Sequence, residues 1–410
     1  MKQKLIIAAA SIALLFFNAV QIKAETYPKT VINGNIMEIF QAEGDLSGKG
    51  PIKAVDGKKI KEGPWILYFE KSNGTKKKAE GDFKDDKRNG IWTFYNENGS
   101  KKNETPYENG NLNGIQKNYT PKGEVESEIP YVNGTVSGLK KYYKAGTLVK
   151  DEQIVDNKKN GVTREYYTTS GSVGKISIYK NDKLDGIQTT LYPDGKKKME
   201  GSFRPVTEQD LQDNPAASNK EGMKTGSWTM FHKNGNIQMT GSFLNDKMNG
   251  KWQTFHPEGQ LESEGMAAEG SKNGVWKFYS ASGVLEKEMT LVKDMVNGLC
   301  KIYENGKLTG HGDMSGLPNK PRRNGDWTDF HPTGKIKSEN VKGSGKYMMD
   351  KKNGKFREYY PGGNLMAEGD YMNDKKNGNW KFYNEDGKTV DDSKTGYYMM
   401  DKLNKKLKVQ

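Results

Sequence analysis

Three of the four histidines stand in one place of a recurring phrase. His232, His256 and His331 each directly follow an aromatic: Phe231, Phe255 or Phe330. Histidine is the usual metal ligand and proton carrier at neutral pH. Placed one per copy, His232 and His256 fall two strands apart, about 10 Å, too far to share one zinc ion at ligand distances near 2 Å. Other copies hold Asn96, Thr120, Ser280 or Asn384 in that place, so a solvent-exposed repeat position is expected. His311 is isolated and points to nothing. The only cysteine, Cys300, excludes an internal disulfide and reads as a small apolar filler. The acids of Glu80-Gly81-Asp82-Phe83 and its kin recur with the period, which suits turn or sheet-edge groups better than a paired acid and base. Asp85-Asp86 precedes a turn and lacks the spacing of a calcium loop. No nucleophile elbow, phosphate-cradling loop or zinc-protease helix can be read. The sequence therefore predicts no catalytic residue, no metal, no cofactor and no enzyme.

Two residue classes remain as candidate surfaces. All seven tryptophans, Trp65, Trp92, Trp228, Trp252, Trp276, Trp327 and Trp380, share one slot of the phrase. They stack between neighbouring hairpins or, if exposed, grip sugars or bases. The lysines give a net charge of +13 and form runs at Lys76, Lys77 and Lys78 and at Lys196, Lys197 and Lys198. Spread lysine keeps a sheet soluble, and a face binding an anionic partner is the sharper alternative.

The elements that position these residues follow from the period. The phrase is Gly–x–Trp–x–x–(Tyr/Phe)–x–x–x–Gly, as in Gly90-Ile91-Trp92-Thr93-Phe94-Tyr95 ending at Gly99. Thirteen copies are counted by Gly63, Gly90, Gly114, Gly138, Gly161, Gly186, Gly226, Gly250, Gly274, Gly298, Gly325, Gly354 and Gly378. Self-similarity at about 24 residues marks a repeat array. Each copy holds two short aromatic segments closed by Asn-Gly or Asp-Gly, so it reads as two antiparallel strands with tight turns and no helix. The expected fold is all-β, an elongated antiparallel meander or solenoid of about thirteen hairpin repeats. Trp92 and Tyr95 are three apart, which requires either aromatics on both faces or a bulge beside the glycine.

The expected organisation is a signal peptide over 1–24, an N-terminal cap with a partial repeat over 25–62, repeats over 63–203, a polar insert loop over 204–224, repeats over 225–404 and a basic tail over 405–410. The apolar run Leu5 to Phe17 after Lys2 and Lys4 is the export signal, and removing 1–24 leaves a charge of +10. In the insert, Thr207 and Asp210 are spaced to cap one helical turn.

The phrase, with its following Tyr/Phe strand and Asn-Gly turn, resembles the MORN-repeat variant family from about Gly44 to Asn404. The resemblance implies a sheet built from hairpins and, for the bacterial branch, an antitoxin-like role. A weaker likeness is to aromatic cell-wall-binding repeats of surface proteins. The reading reached from the sequence is an exported, non-enzymatic repeat protein in the periplasm, on the cell surface or secreted. It serves as an extended binding or scaffold surface for a protein or an anionic envelope component, lipid or glycan. An antitoxin or immunity protein and a glycan-binding protein are the alternatives. Nucleic acid is not the expected partner, and no spanning segment is expected after the signal is removed.

Overall fold

The computed structural model describes residues 26–42, 44–331 and 340–404; the expected signal peptide over 1–24 and the expected basic tail over 405–410 lie outside them. The described chain holds 34 strands. It divides into two compact units, residues 1–125 with 131–134 and residues 126–130 with 135–410. Each unit is a meander of antiparallel hairpins, as the period predicts.

One hairpin shows how the sequence makes the unit. The strands Lys77–Lys84 and Lys87–Tyr95 pair antiparallel around Asp85-Asp86. Both turn residues are left-handed, with φ 50° and 61°. That is the two-residue turn whose twist matches the strands. Asn245-Asp246 and Asn373-Asp374 repeat it. This corrects the expectation for the Asn-Gly before the tryptophan. Asn89-Gly90 lies inside a strand, and the turn is Asp85-Asp86 itself. Gly90, at φ 72°, opens a bulge: pairing moves from Glu80↔Thr93 to Asp82↔Asn89, so Gly90, Ile91 and Trp92 stand against Gly81. At the other end Asn96 closes a tight loop by accepting at 2.9 Å from the Gly99 amide. A second register shift falls between Phe94 and Tyr95. Bulges and two aromatic faces therefore coexist.

Neighbouring copies are clasped at the turn edge. The second turn residue, Asp86, accepts at 2.7 Å from the Lys61 amide, and its own amide donates to the Lys61 carbonyl at 3.1 Å. Asp182 with Lys159, Asp246 with Lys224, Asp294 with Lys272, Asp350 with Arg323, Asp374 with Lys352 and Asp401 with Lys376 repeat the pair of bonds. A carboxylate at this turn position thus ties each hairpin to the one before.

The stretch 204–224 begins in the strand Lys197–Arg204 and ends in Met223–Phe231. Between them lie a helical turn, Glu208–Asp213, and a 3-10 helix, Pro215–Asn219. Thr207 caps the first: its hydroxyl accepts from the Asp210 amide, and the Asp210 carboxylate accepts from the Thr207 amide at 2.8 Å. Arg204 grips the same carboxylate with two bonds of 2.6 Å, so the insert is pinned to the sheet.

Candidate functional site

Within each unit the tryptophans line one face of the sheet, and all are buried, 0 to 5 % exposed. The physical reason is a glycine. A Cβ on Gly81 would sit 2.6 Å from the Trp92 ring, and one on Gly265 would sit 2.4 Å from the Trp276 ring. Each indole lies flat on the glycine of the preceding strand. Gly50, Gly201, Gly241, Gly312 and Gly369 carry Trp65, Trp228, Trp252, Trp327 and Trp380 in the same way, and Gly345 carries Phe356. Where a side chain replaces that glycine, no large aromatic follows. Thr105, Ile129, Glu152, Ser177 and Met289 stand at the register of Gln116, Lys140, Thr163, Gln188 and Cys300. This coupling is written in the sequence, and reading the tryptophan phrase alone misses it.

The indoles alternate with the aromatics of the second phrase. Phe83 meets Trp65 at 5.7 Å and Trp92 at 4.9 Å, edge to face. Phe243 joins Trp228 and Trp252 likewise, and Tyr371 joins Phe356 and Trp380. A cation four residues before the slot covers six of the seven rings: Lys61 over Trp65, Arg88 over Trp92, Lys224 over Trp228, Lys272 over Trp276, Arg323 over Trp327 and Lys376 over Trp380, whereas Met248 stands there before Trp252. Such contacts contribute about 0.5–2 kcal/mol each. The tryptophans are therefore packed between copies and present no exposed platform for sugars or bases. Part of the lysine load is structural too. Burial pushes the Lys272 ammonium below its ordinary value.

Side chains alternate along a strand, so the residue beside each slot glycine faces the other way. There the phase tyrosine meets an acid fifteen residues earlier. The Tyr95 hydroxyl donates to Glu80, Tyr119 to Glu104 at 2.6 Å, Tyr143 to Glu128 at 3.0 Å, Tyr279 to Glu264 at 3.2 Å and Tyr383 to Glu368 at 3.0 Å. Burial, and then the carboxylate beside it, push Tyr95 and Tyr119 up to about 12. The tyrosine hydroxyl and Lys77 hold Glu80 below its usual range. Lysines complete the row, with Lys101 to Glu104 at 2.6 Å, Lys251 to Glu264 at 2.9 Å and Lys301 to Glu288 at 2.9 Å.

The two lysine runs belong to this pattern. Lys77 pairs with Glu80 at 2.9 Å and Lys197 with Glu200 at 2.8 Å. Lys76 and Lys78 line a shallow cavity with Glu70 and Glu97. Lys196 lies 3.9 Å from Asp194, and Lys198 stands 5.9 Å over the Tyr192 ring. Acids accompany both runs, so neither is a bare cationic patch.

The histidine slot is not solvent-exposed, which corrects the expectation. His232, His256 and His331 are half-buried. Each Nε2 meets the backbone carbonyl of the next copy's aromatic: Phe255 at 2.9 Å, Tyr279 at 3.2 Å and Tyr359 at 3.4 Å. A carbonyl only accepts, so Nε2 carries the proton. Tyr167, Tyr192 and Tyr360 make the same link to Leu191, Phe231 and Tyr383. Cys300 is fully buried, and burial pushes its thiol up. Among the described residues no group of three or more His, Cys, Asp or Glu could hold a metal.

His311 proves informative. It occupies the acid slot, and Phe330 occupies its tyrosine slot; the two rings stack at 5.3 Å and 15°. The next copy puts Ser344 there. Over these copies the long acid–tyrosine–lysine row is absent from the face, and a groove of about 790 Å³ opens in the second unit. Asp313, Asp326, Thr328, Ser344, Lys355 and Arg357 line it, with Glu368 and Asp370 beyond. Arg357 pairs with Glu368 at 3.3 Å, and His311 Nδ1 is buried without a hydrogen-bond partner. The groove offers both charge signs and the hydroxyls of Thr328 and Ser344.

The repeat geometry has a counterpart among known families. The model of the MORN repeat variant matches residues 88–109, 112–133, 224–245, 248–266, 272–293, 323–340 and 352–373. These are MORN-variant repeats. No curated protein matches the chain. Among solved structures, a crystal structure of TcdB2-TccC3-Cdc42 is 11% identical over 85% of this chain and 20% of its own, at a TM-score of 0.17. A Photorhabdus luminescens Tc holotoxin pore is also 11% identical, over 86% of this chain and 22% of its own, at a TM-score of 0.17. The chain thus spans about a fifth of the length of those proteins, and a likeness at that score carries no argument. No described helix is long and apolar enough to cross a membrane.

Proposed function

We propose that this protein is an exported, non-enzymatic MORN-repeat scaffold whose charged face holds a protein partner along the groove of the second unit. The observation that carries the reading is the break in the acid–tyrosine–lysine row at His311 and Ser344, which opens the groove between Asp326 and Lys355. A groove bearing both signs of charge suits a polar protein segment better than a uniformly anionic lipid or glycan. Export rests on the apolar run Leu5 to Phe17 behind a basic start.

The test is affinity capture from an envelope fraction with the native protein and with an Asp326→Ala/Lys355→Ala variant. Both residues are exposed, so the fold should survive their replacement. A stoichiometric protein retained by the native chain and lost by the variant is the expected result. A captured protein that is toxic when free makes the role that of an antitoxin. Retention of lipid or glycan instead, or capture indifferent to the variant, overturns the proposal.

A further inference from the structure

The middle of the second unit exposes apolar side chains on the face of the acid–tyrosine row. Its strands there are Lys247–Phe255, Leu261–Ala268, Ser271–Tyr279, Leu285–Val292, Met295–Glu304 and Lys307–Leu317. Met266, Val275, Val292, Met295 and Leu299 stand 43 to 56 % exposed on the middle four. Each points away from the tryptophans, because a neighbour in its strand, Ala267, Trp276, Leu291, Val296 or Cys300, is buried among them. Single exposed apolar residues are ordinary, but five on four consecutive strands form a patch.

The register orders this face into two rows. One runs Gln253, Glu264, Lys277, Glu288, Lys301 and His311, each paired with the next across a strand boundary. Its centre alternates acid and base. The other row sets Lys251 beside Met266, Val275 beside Thr290, and Leu299 beside Asp313. The Thr290 hydroxyl donates to the Leu299 carbonyl at 2.8 Å and joins the last two pairs. Apolar side chains therefore fill the centre of this row, a cation closes one end and an anion the other. Before Lys251 the row turns to Ser227 and Ser242, which bounds the patch. Val292 and Met295, paired across their turn, widen it toward the turn edge.

Both rows are self-complementary about one line, parallel to the strands and midway between Ser271–Tyr279 and Leu285–Val292. Turning a second copy about that line lays sheet on sheet with aligned strands, an ordinary geometry for two faces packed about 10 Å apart. In the first row Lys277 then meets Glu288, and Glu264 meets Lys301. In the second Val275 meets Thr290, Met266 meets Leu299, and Lys251 meets Asp313. Every pair occurs twice, as a two-fold contact requires. Within these rows no acid faces an acid and no base a base. Lys251 and Lys301 keep Glu264 and Glu288 as partners within the chain at 2.9 Å, but both stay exposed, and an ammonium has donors for a second acid. Six strands and three rows of side chains cover roughly 600 Å² per copy, enough for a reversible contact. An anionic lipid surface rewards cations alone, so the alternating signs favour a second copy.

We propose that this patch is the interface of a two-fold homodimer, with Met266 and Leu299 of the two copies in contact and Lys251 of each copy paired with Asp313 of the other. The inference does not rest on the groove partner. Asp326 and Lys355, which carry that reading, lie beyond the last matched pair.

The experiment is sedimentation velocity on the purified protein across a concentration series. A contact of this size dissociates in the micromolar range, so monomer should convert to dimer between about 1 and 100 μM. Lys251→Glu puts two like-charged pairs into its own dimer and should weaken it by about tenfold or more, and Asp313→Lys should do the same. Mixed in equal amounts, the two variants set each altered position against the other and leave the remaining pair native. The mixture should therefore dimerise as the native chain does, a recovery that damaged folding cannot produce. Asp326→Ala/Lys355→Ala, which tests the groove, should dimerise normally, so the two readings fail separately. Monomer throughout the series, single variants that dimerise as the native chain does, or a mixture no tighter than its components each overturn the interface. Binding to phospholipid vesicles without self-association overturns it in favour of a lipid surface.

Discussion

The pairing of slot glycine with tryptophan makes a sharp prediction about exchanging one pair for another. Gly265 and Trp276 form a large-ring pair, whereas Met289 and Cys300, one copy further on, fill the same space the other way round. Gly265 has no left-handed φ, so it is there for space alone. Replacing it by Met forces a side chain into a ring 2.4 Å from the new Cβ, and that ring is fully buried. Overpacking of this kind costs about 1–3 kcal/mol. Trp276→Cys empties the slot at about 3–5 kcal/mol. Independent effects would sum to roughly 4–8 kcal/mol in the double variant. Gly265→Met combined with Trp276→Cys instead recreates the pair found at Met289 and Cys300, so the double variant should recover about 1–3 kcal/mol of that sum. Copies in an array couple mainly to neighbours, so the effect is read locally. Amide hydrogen exchange over Leu261–Ala268 and Ser271–Tyr279 gives the opening free energy of each variant. Additivity within about 0.5 kcal/mol would refute the idea that the two slots compensate each other.

Three further outcomes follow from the same structure. Tyr95, Tyr119 and Tyr166 are raised to about 12, so they titrate late; a group raised in the folded state stabilises fully below its ordinary value near 10 and loses that contribution as pH climbs through 12. Tyrosinate absorbance should therefore rise together with loss of β signal between those values, and ordinary titration of all tyrosines near 10 would contradict the acid–tyrosine row. The bidentate Arg204 guanidinium and the Thr207 amide hold the Asp210 carboxyl far below its usual range, so its stabilisation is complete above the ordinary carboxylate value and is lost only as pH falls through the depressed one. Asp210→Asn should loosen residues 205–222 at neutral pH and remove their acid transition while the repeats keep their protection in hydrogen exchange; an unchanged insert would mean that the ion pair is idle. Replacing Lys76, Lys77, Lys78, Lys196, Lys197 and Lys198 by Gln should alter stability by less than about 1 kcal/mol, because exposed pairs contribute little. Those same changes test whether the runs contact an anionic surface: retention on anionic vesicles that is weak at low salt, or indifferent to salt, leaves the lysines as a solvated, acid-paired face.

The period of the phrase alone determined the hairpin, the antiparallel pairing and the lack of room for an ordinary helix within a copy, because turn residues and alternating aromatics are local instructions read within a few residues. The seven tryptophans announced the repeat, and the Thr207–Asp210 spacing announced the cap on the insert. The partnership of Gly81 with Trp92 was equally present in the sequence, but its meaning depends on which strand lies beneath which, a fact of register. What only the tertiary structure decided concerns faces. Trp92 and Tyr95, three apart with no extra residue between them on their own strand, turn the indoles to one side and the tyrosine hydroxyls to the other, whereas their spacing alone left both this arrangement and a bulge open. The histidines looked exposed in the sequence because their slot is polar; a carbonyl one copy away made them links between repeats. His311 looked like noise until its register placed it where other copies hold an acid, and the groove exists because that exchange and Ser344 fall on adjacent copies of one face. Strand-local chemistry is legible along the chain, whereas a surface assembled from single residues of many strands is legible only across it.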